Sequence, residues 1–417
     1  MDELVAAPYM TKFRCLGGDC EDTCCAAWDI PISAEDHQRL TQAIGPAANA
    51  MLKRIPDGRG GSLVVLAKRE SDGKCTQLDP AGLCSLHARL GEEVLPEICC
   101  AYPRFIGRVA DRLELTGRMS CPEVVRLCLL GDATESLVPA TPEPFGRFKV
   151  RFEVTPDDEV PYLTPFVHVR DAVIAICRDA SVPIASRLYA IAALGERVQP
   201  FFRRDATTHE PERLVHELLE VRKPEVMAEL HAQLTASPID GAALSSVMGM
   251  IHSRLTAAPA FKRVVGVVAR HLGEAAGVTD PGDPWKQLMA LGPQRIWDAH
   301  IERREALSAL QTERLERYLE RYAANYFLQD WYPLSPTLLE HAMQLLLRVA
   351  LIRYLLLAHP GFTPTADVAQ LDRAAVEVVY ATTRAYDHSE AVREALSNTL
   401  ANRKLLHLSH AAALLRL

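Results

Sequence analysis

Apolar residues recur at intervals of three and four positions through long segments of the chain from about residue 160 onward. This spacing places apolar side chains on one face of an α-helix, and it predicts several amphipathic helices joined by short loops. One such face is formed by Leu315, Tyr318, Leu319, Tyr322 and Tyr326. We therefore predict an all-helical domain over residues 145–417.

Two dipeptides predict where helices of this domain begin. Asp283 precedes Pro284, and Ser335 precedes Pro336. Asp and Ser accept hydrogen bonds from the free amides at the start of a helix, and proline suits the first helical position because the amide it lacks would be unpaired there. The sequence therefore predicts helix starts at Pro284 and Pro336.

The first third of the chain has shorter elements, separated by frequent glycine turn signals. Alternating apolar residues in Ser62–Lys68 predict a strand, and a second strand pair is expected around Ile106–Met119. Ser33, followed three residues later by Asp36, predicts a helix that begins at Ala34. A loop-rich region of this kind needs an additional source of stability.

The segment Pro139–Pro144 contains three prolines, which is typical of a stiff linker. We therefore expect a cysteine-rich region over residues 1–138 that is separate from the helical domain. The predicted fold class is mainly α, with a loop-rich cysteine and metal-cluster region that has a few short strands, followed by a multi-helix domain.

Charge and hydropathy exclude two classes of function. The net charge of −7 argues against a general nucleic-acid role, because phosphate binding needs a basic surface. In Ala342–Ala358 the apolar residues favour membrane insertion by roughly 4 kcal/mol, but Arg348 and Arg353 oppose it by roughly 5 to 7 kcal/mol. We expect a buried helix there. Met1–Val5 has no secretory pattern, so a cytoplasmic protein is expected.

The cysteines carry the main chemical signal. Ten of the eleven precede residue 130, and only Cys177 follows. An odd count without an export signal argues against structural disulfides. Thiolates repel one another, so many of them close together usually share a cation or a cluster. Zinc and a [4Fe–4S] cluster can each take four cysteines, and spacing alone does not separate them. A buried, purely structural role is the alternative, most plainly for Cys128 and Cys177.

Several motifs together resemble the flagellin lysine-N-methylase family. They are Tyr9–Cys15 (YMTKFRC), Cys20–Trp28 (CEDTCCAAW), Leu83–Leu86 (LCSL), Cys99–Arg104 (CCAYPR), Ser120–Glu123 (SCPE) and Tyr318–Phe327 (YLERYAANYF). The cysteine region is also similar to small zinc- or iron-chelating domain proteins, which need not be enzymes.

The resemblance implies a bacterial enzyme that transfers a methyl group from S-adenosylmethionine (SAM) to lysine ε-amines of flagellin and contains a [4Fe–4S] cluster. Two features depart from familiar SAM enzymes. Cys24 is followed directly by Cys25, so the CxxxCxxC signature of radical-SAM proteins is absent. Gly17 and Gly18 lie among cysteines and do not follow a strand, so they do not form a nucleotide-binding turn.

The motif positions supply the candidate site residues. The candidate metal ligands are Cys20, Cys24, Cys25, Cys84 and Cys99, followed by Cys15 and Cys75, with Cys100 and Cys121 as further candidates. The candidate cofactor-binding residues are Glu21, Asp22, Trp28, Tyr102, Arg104, Tyr322, Asn325 and Tyr326. No catalytic residue and no oligomeric state follow from the sequence.

Two functions are compatible with these residues. The first is a flagellin lysine methyltransferase, in which the cluster either holds the loops together or presents an open iron to SAM. The second is a zinc- or iron-binding adaptor whose helical region docks a protein partner without chemistry. The motif at Tyr318–Phe327 favours the enzyme, because an adaptor has no evident need for it.

Overall fold

The computed structural model describes residues 2–26, 28–56, 60–131, 136–155, 160–206, 210–239, 241–256, 258–277, 283–388 and 390–417. The chain divides into two compact units. Unit 1 comprises Met1–Leu127 with Leu137–Glu153, and unit 2 comprises Cys128–Ser136 with Val154–Leu417. A mainly α fold with a strand-containing N-terminal region is confirmed.

The helices and strands that begin before residue 155 are short. The strands are β1 (Glu3–Ala6), β2 (Leu52–Pro56), β3 (Ser62–Leu66), β4 (Arg104–Val109), β5 (Arg112–Gly117), β6 (Val138–Pro139) and β7 (Phe152–Val154). The helices are α1 (Pro8–Thr11), α2 (Ala34–Ile44), α3 (Ala47–Ala50), α4 (Ser85–Leu90), α5 (Glu97–Ala101) and α6 (Pro122–Leu130). Single 3₁₀ turns lie at Gly17–Asp19, Cys24–Ala26, Glu92–Val94 and Glu143–Phe145.

A five-stranded sheet organises unit 1, with the strand order β6-β1-β5-β4-β7. β4 and β5 form the antiparallel pair predicted around Ile106–Met119, and their side chains are mostly buried. β1 lies parallel to β5, with Leu4 beside Leu113, and antiparallel to β6. The proline-rich segment expected to be a linker thus contributes Pro139 to the sheet and belongs to unit 1.

Two local predictions in unit 1 are confirmed. β3 lies within the predicted strand Ser62–Lys68 and pairs with β2 in a separate two-stranded sheet. α2 begins at Ala34 with a complete capping box, in which the Ser33 hydroxyl accepts the Asp36 amide at 3.0 Å and the Asp36 carboxylate accepts the Ser33 amide at 3.3 Å. These bonds pair amides that would otherwise be free at the start of the helix.

Unit 2 is helical over nearly all of its described length. Its helices are α7 (Phe166–Arg178), α8 (Ile184–Val198), α9 (Pro211–Glu220), α10 (Pro224–Ala236), α11 (Ala242–Arg254), α12 (Pro259–Ala275), α13 (Pro284–Glu305), α14 (Ala309–Gln329), α15 (Leu338–Leu357), α16 (Val368–Tyr386), α17 (Glu390–Asn402) and α18 (Leu408–Arg416), with a 3₁₀ turn at Tyr332–Leu334. The predicted apolar face of α14 is buried in the core.

α15 is the central helix of unit 2 and is buried along almost its whole length. Arg348, 3% exposed, pairs with Asp387 at 3.1 Å, and Arg353 donates to the Leu415 carbonyl at 2.9 Å. The expectation of a buried helix for Ala342–Ala358 is therefore confirmed. Among the described helices, none is long and apolar enough to cross a membrane.

α15 packs closely on α8, and Gly195 allows that approach. A Cβ atom at Gly195 would lie 2.7 Å from the backbone of Leu339, which is closer than real Cβ contacts. The two helix backbones can therefore lie this close together only because residue 195 of α8 is a glycine and has no side chain.

One of the two predicted helix starts is correct and one is wrong. Asp283 caps α13, and its carboxylate accepts the Trp285 amide at 2.8 Å. Ser335 does not cap α15, because Thr337 does so by accepting the Glu340 amide at 3.0 Å. The Ser335 hydroxyl instead bonds to the His341 ring at 3.2 Å, after the 3₁₀ turn at Tyr332–Leu334 has shifted the helix start by two residues.

Candidate metal centre

The cysteines of unit 1 lie on short elements and at their ends. Cys15 and Cys20 flank the 3₁₀ turn at Gly17–Asp19, and Cys24 and Cys25 open the 3₁₀ turn at Cys24–Ala26. Cys84 precedes α4, Cys99 lies within α5, and Cys121 immediately precedes α6. Cys75 lies in an irregular segment and donates its amide to the Cys25 carbonyl at 2.9 Å. All of these cysteines are free thiols.

Four of the thiols form cysteine group 1, which comprises Cys25, Cys75, Cys84 and Cys99. Cys25 and Cys99 pack against an apolar cluster that contains buried Cys75, and Cys84 and Cys99 pack against another. Burial raises the pKa of Cys75, and negative charge on Cys25 and Cys84 raises it further. Burial likewise raises the pKa of Cys99 well above its usual range, reinforced by charge on Cys25, Cys75, Cys84 and Cys100.

Four other thiols form cysteine group 2, which comprises Cys15, Cys20, Cys24 and Cys121. Burial raises the pKa of Cys121 to about 12, and charge on Cys20 and Cys15 acts in the same direction. The pKa of Cys24 is raised chiefly by its hydrogen bond to Cys25 and by burial, with charge on Cys25, Cys121 and Cys15 adding to the effect. Each thiol of this group therefore lies within electrostatic reach of others in it.

Adjacent Cys24 and Cys25 open one 3₁₀ turn, and their thiols link the two groups. The two thiols share one hydrogen bond, which lowers the pKa of Cys25 to about 7 because the Cys24 thiol donates to it; burial opposes this shift. This hydrogen bond thus favours the thiolate form of Cys25, which is the form that metals bind.

Cys100 is buried in the same apolar cluster against which Cys84 and Cys99 pack, whereas Cys128 and Cys177 lie apart from the other thiols. Cys100 accepts the Arg147 guanidinium at 2.9 Å, and its pKa is raised to about 11, mainly by burial. Burial is the main reason why the pKa of Cys128 and of Cys177 is raised to about 12, nearby arginines oppose both shifts, and no other thiol contributes to either.

The donor chemistry of each group suits zinc or an iron–sulfur cluster, since each group supplies four sulfur atoms. Among the described residues, however, no three Cys, His, Asp or Glu side chains already converge on a single ion position. Binding of a metal would therefore require the thiols to reorient. His87, which follows Cys84 at a metal-ligand spacing, is exposed.

The candidate cofactor residues of unit 1 lie along the cysteine segments. Trp28 stacks edge-on against Tyr102 with ring centroids 4.7 Å apart, and the Tyr102 hydroxyl lies 3.1 Å from Ser120 Oγ, beside Cys121. Arg104 donates to the Pro144 carbonyl at 2.6 Å and to the Cys100 carbonyl at 3.3 Å.

Two acidic candidates also have partners close to the cysteines. The Asp22 carbonyl accepts the Cys20 thiol at 3.4 Å, and Glu21 forms an ion pair with Arg126. These contacts make the two residues part of the framework around the thiols, whichever further role they have.

The remaining three candidates lie on α14 in unit 2. Tyr322, Asn325 and Tyr326 are buried, and the Tyr322 hydroxyl has no hydrogen-bond partner among the residues that the structure describes. Tyr326 lines a cavity of about 20 Å³, which is the space of about one water molecule. The cavity is also bordered by His341, Arg348 and Asp387. The sequence analysis did not assign a site role to these three residues. The one available signal was Arg348, a charged residue within the apolar run of α15.

A model of the FliB lysine N-methylase C-terminal domain matches residues 170–414. The chain belongs to the FliB lysine N-methylase family. Two curated relatives named lysine-N-methylase, from Salmonella typhimurium and Salmonella choleraesuis, are 24% and 25% identical over 126 residues. Each match covers 28% of this chain and 30% of the relative.

The flagellar biosynthetic protein FliU of Salmonella muenchen is a further relative. It is 25% identical over 126 residues, which is 28% of this chain and 70% of FliU. No solved structure is significantly similar to the chain.

The part of the chain that matches the FliB C-terminal domain contains a larger cavity, of about 450 Å³. Its polar lining includes Glu302, Gln311 and His359, and its apolar lining includes Leu272 and Phe362. The lining residues come from four helices and the loop after α15, so no sequence motif marks this cavity. Its volume is in the range of pockets that bind a cofactor-sized molecule.

Proposed function

We propose that this protein transfers a methyl group from SAM to lysine ε-amines of flagellin. The observation that carries the proposal is the match of residues 170–414 to the FliB lysine N-methylase C-terminal domain. The relatives named lysine-N-methylase support methyl transfer to lysine, and FliU supports a flagellar context. Because the lysine-N-methylases are matched over only 30% of their length, the substrate and the methyl donor are part of the proposal.

We assign SAM to the cavity of about 450 Å³ in unit 2. Leu272, Leu357 and Phe362 offer an apolar wall for the adenine ring, and the Glu302 carboxylate offers an acceptor for ribose hydroxyls or a counter-charge for the sulfonium. Gln311 is held in place, since its side-chain amide donates to the Phe362 carbonyl at 2.8 Å. The cavity therefore combines an apolar wall with a few fixed polar groups.

This assignment is tested by calorimetric SAM titration of the full chain. Glu302→Gln removes the carboxylate, and we expect about a tenfold loss of SAM affinity, as for one charged hydrogen bond. Glu305→Gln is the matched control, because Glu305 is exposed on the same helix and does not line the cavity. Equal affinities of both variants and wild type would place SAM elsewhere.

Cysteine group 1 is proposed to hold the [4Fe–4S] cluster. With four cysteines available, each iron can have a thiolate ligand, and none needs to remain open for SAM. This favours the role of a staple that joins the segments carrying Cys25, Cys75, Cys84 and Cys99. Zinc is the alternative. If protein purified without oxygen contains about four iron and four sulfide per chain, the cluster is supported. If it contains zinc and no sulfide, the cluster is ruled out.

The chemistry requires a neutral amine, although a free lysine has a pKa near about 10.4. Binding must therefore remove the ammonium from water or pass its proton to a base, and alignment of the amine with the methyl group supplies much of the remaining acceleration. The test is an incubation of metal-loaded protein with SAM and flagellin. We expect flagellin to gain mass in steps of one methylene unit and S-adenosylhomocysteine to form. Unchanged flagellin would overturn the proposal and favour the metal-binding adaptor.

A further inference from the structure

We propose that unit 2 has a second ligand site, an arginine-lined cavity that binds a small organic anion carrying a carboxylate or phosphate group on a short apolar body. The cavity has a volume of about 200 Å³. Its lining comes from six helices of unit 2, which are α8, α10, α13, α14, α15 and α18. It shares no lining residue with the larger cavity assigned to SAM, and the proposal does not depend on methyl transfer.

Three guanidinium groups line this cavity. They belong to Arg304 on α13, Arg353 on α15 and Arg416 on α18. The Nε atoms of Arg353 and Arg416 are buried and have no hydrogen-bond partner among the residues that the structure describes. Arg353 is held in place by its Nη1, which donates to the Leu415 carbonyl at 2.9 Å. Three helices thus bring cationic donors to one cavity, and two of them have unused donor capacity.

The three cations lie close enough to act on one another. Burial is the main reason why the pKa of Arg353 is lowered to about 10, and the charges on Arg304 and Arg416 act in the same direction, whereas Glu316 opposes them. Burial also lowers the pKa of Arg304, and the charge on Arg416 adds to that effect. Like charges held together in this way repel one another, and a bound anion would relieve the repulsion.

The cavity contains too little negative charge to balance these arginines. Glu316 is the one acidic residue in its described lining, against three arginines. The Glu316 carboxylate accepts the Ile184 amide at the start of α8 at 2.6 Å, so part of its acceptor capacity is already used. An excess of positive charge therefore remains for a ligand.

The rest of the lining indicates what else the ligand carries. Leu188, Leu234, Leu319 and Val349 provide an apolar wall opposite groups that can hydrogen-bond. The forked donors of arginine match the two oxygens of a carboxylate or phosphate group, which they bind through parallel hydrogen bonds. The volume lies below the roughly 300 Å³ at which pockets for drug-sized ligands begin. The ligand is therefore small, with an anionic group at one end and a short apolar body.

The arginine-lined cavity and the SAM cavity meet at the turn that joins α13 to α14. Ala306 and Gln311 line the larger cavity, whereas the next residues, Leu307 and Thr312, line the smaller one. SAM itself carries a carboxylate. A test of the second site must therefore establish that its ligand and SAM bind at different places.

The test is calorimetric titration of the full chain at constant ionic strength with three probes that share one apolar chain. They are hexanoate, hexyl phosphate and uncharged hexanol. We expect saturable binding of at least one anion, and the tighter of the two identifies the preferred anionic group. Hexanol should bind far more weakly, because it offers the guanidinium groups no charge.

Two variants locate the binding. Arg304→Gln should weaken anion binding about tenfold, as for one charged hydrogen bond. Arg295→Gln is the matched control, because it removes the same charge from an exposed position on the same helix that does not line the cavity. Arg416→Gln, on a different helix, should weaken binding in the same way. It keeps the test decisive if Arg304→Gln fails to fold, which circular dichroism would show.

Four results would overturn the proposal. They are the absence of saturable binding by either anion, equal binding of hexanol, equal losses in Arg304→Gln and Arg295→Gln, and displacement of the bound anion by SAM. The last result would assign the arginine-lined cavity to the methyl donor. Glu302→Gln, which changes the larger cavity, should bind the anion as the wild type does. None of these readouts involves flagellin, so the methylase proposal succeeds or fails separately.

Discussion

The guanidinium group of Arg126 on α6 forms ion pairs with Glu21 and with Glu123. The loop between Cys20 and Cys24 is thus attached to the helix that begins directly after Cys121. Arg126 and Glu21 remain 37% and 38% exposed, so water and salt weaken this attachment.

The role of Glu21 can be tested by Glu21→Gln. An exposed ion pair contributes about 1 kcal/mol or less, so we expect a small decrease in the free energy of unfolding and an unchanged SAM affinity. Glu143→Gln is the control, since Glu143 is 81% exposed and lies 3.6 Å from Arg14. A selective loss of SAM affinity in Glu21→Gln would show that this carboxylate contacts the cofactor, as the motif predicts.

A methyl group at Gly18 should disturb unit 1. Gly18→Ala would place a Cβ 2.3 Å from the Ala81 carbonyl oxygen, which is backbone and cannot turn aside. We expect a loss of about 1 to 3 kcal/mol in the free energy of unfolding and faster proteolysis of unit 1. Gly249→Ala in α11 is the control. It meets nothing within 4 Å, and it should be neutral or stabilising because alanine favours helices. Similar behaviour of the two variants would contradict the close packing at Gly18.

The buried pair of Arg348 and Asp387 should be sensitive to the loss of one partner. Their side chains are 4% and 5% exposed, so Asp387→Asn would leave a buried guanidinium without its counter-charge. We expect a loss of about 3 to 5 kcal/mol in the free energy of unfolding, seen as a lower Tm. Glu210→Gln breaks an exposed pair with Arg213 and should change stability by less than about 1 kcal/mol. If both variants have the same Tm, the buried ion pair contributes little to stability.

His341 should make unit 2 less stable in acid. Burial is the main reason why its pKa is lowered from 6.5 to about 4, with the charge on Arg348 acting in the same direction and Asp330 opposing it. Between pH 6.5 and 4 the unfolded state binds a proton that the folded state does not, so the free energy of unfolding falls as the pH falls. The limit for this one group is about 3 kcal/mol.

Denaturant unfolding at several pH values checks this prediction. His341→Gln should flatten part of the slope between pH 6.5 and 4, and the rest should persist because burial also lowers the pKa of His300 to about 4. His216→Gln is the control, since its side chain is 66% exposed. An unchanged slope in His341→Gln would show that its burial does not oppose protonation.

The sequence predicted those features that depend on near neighbours. Ser33 and Asp36 form their capping box within one helical turn, and the apolar face of α14 needs only the helical repeat. Arg348 and Arg353 excluded a membrane span because the cost of a charge does not depend on the detailed fold. The start of α15 was misplaced because the choice between Ser335 and Thr337 depends on the preceding 3₁₀ turn.

The surroundings of the individual cysteines were not predictable from spacing. Cys24 and Cys25 are neighbours in the sequence, and their thiols share a hydrogen bond, yet the pKa of one is raised and that of the other is lowered. Cys121 ranked behind the other candidates because nothing local connects it with Cys15. The large cavity in unit 2 is lined by residues from four helices, and no sequence pattern predicts it.

The position of β1 in the sheet has a consequence for how the protein is made. β1 contains residues 3–6, but its neighbours are β5 at residues 112–117 and β6 at residues 138–139. A ribosome adds about 5 to 20 residues per second, so β1 waits on the order of ten seconds for its partners. The loops bearing Cys15 to Cys99 emerge during that interval, before the sheet can close. The cysteines of these loops are therefore exposed to the cell before the sheet that follows them in the sequence has formed.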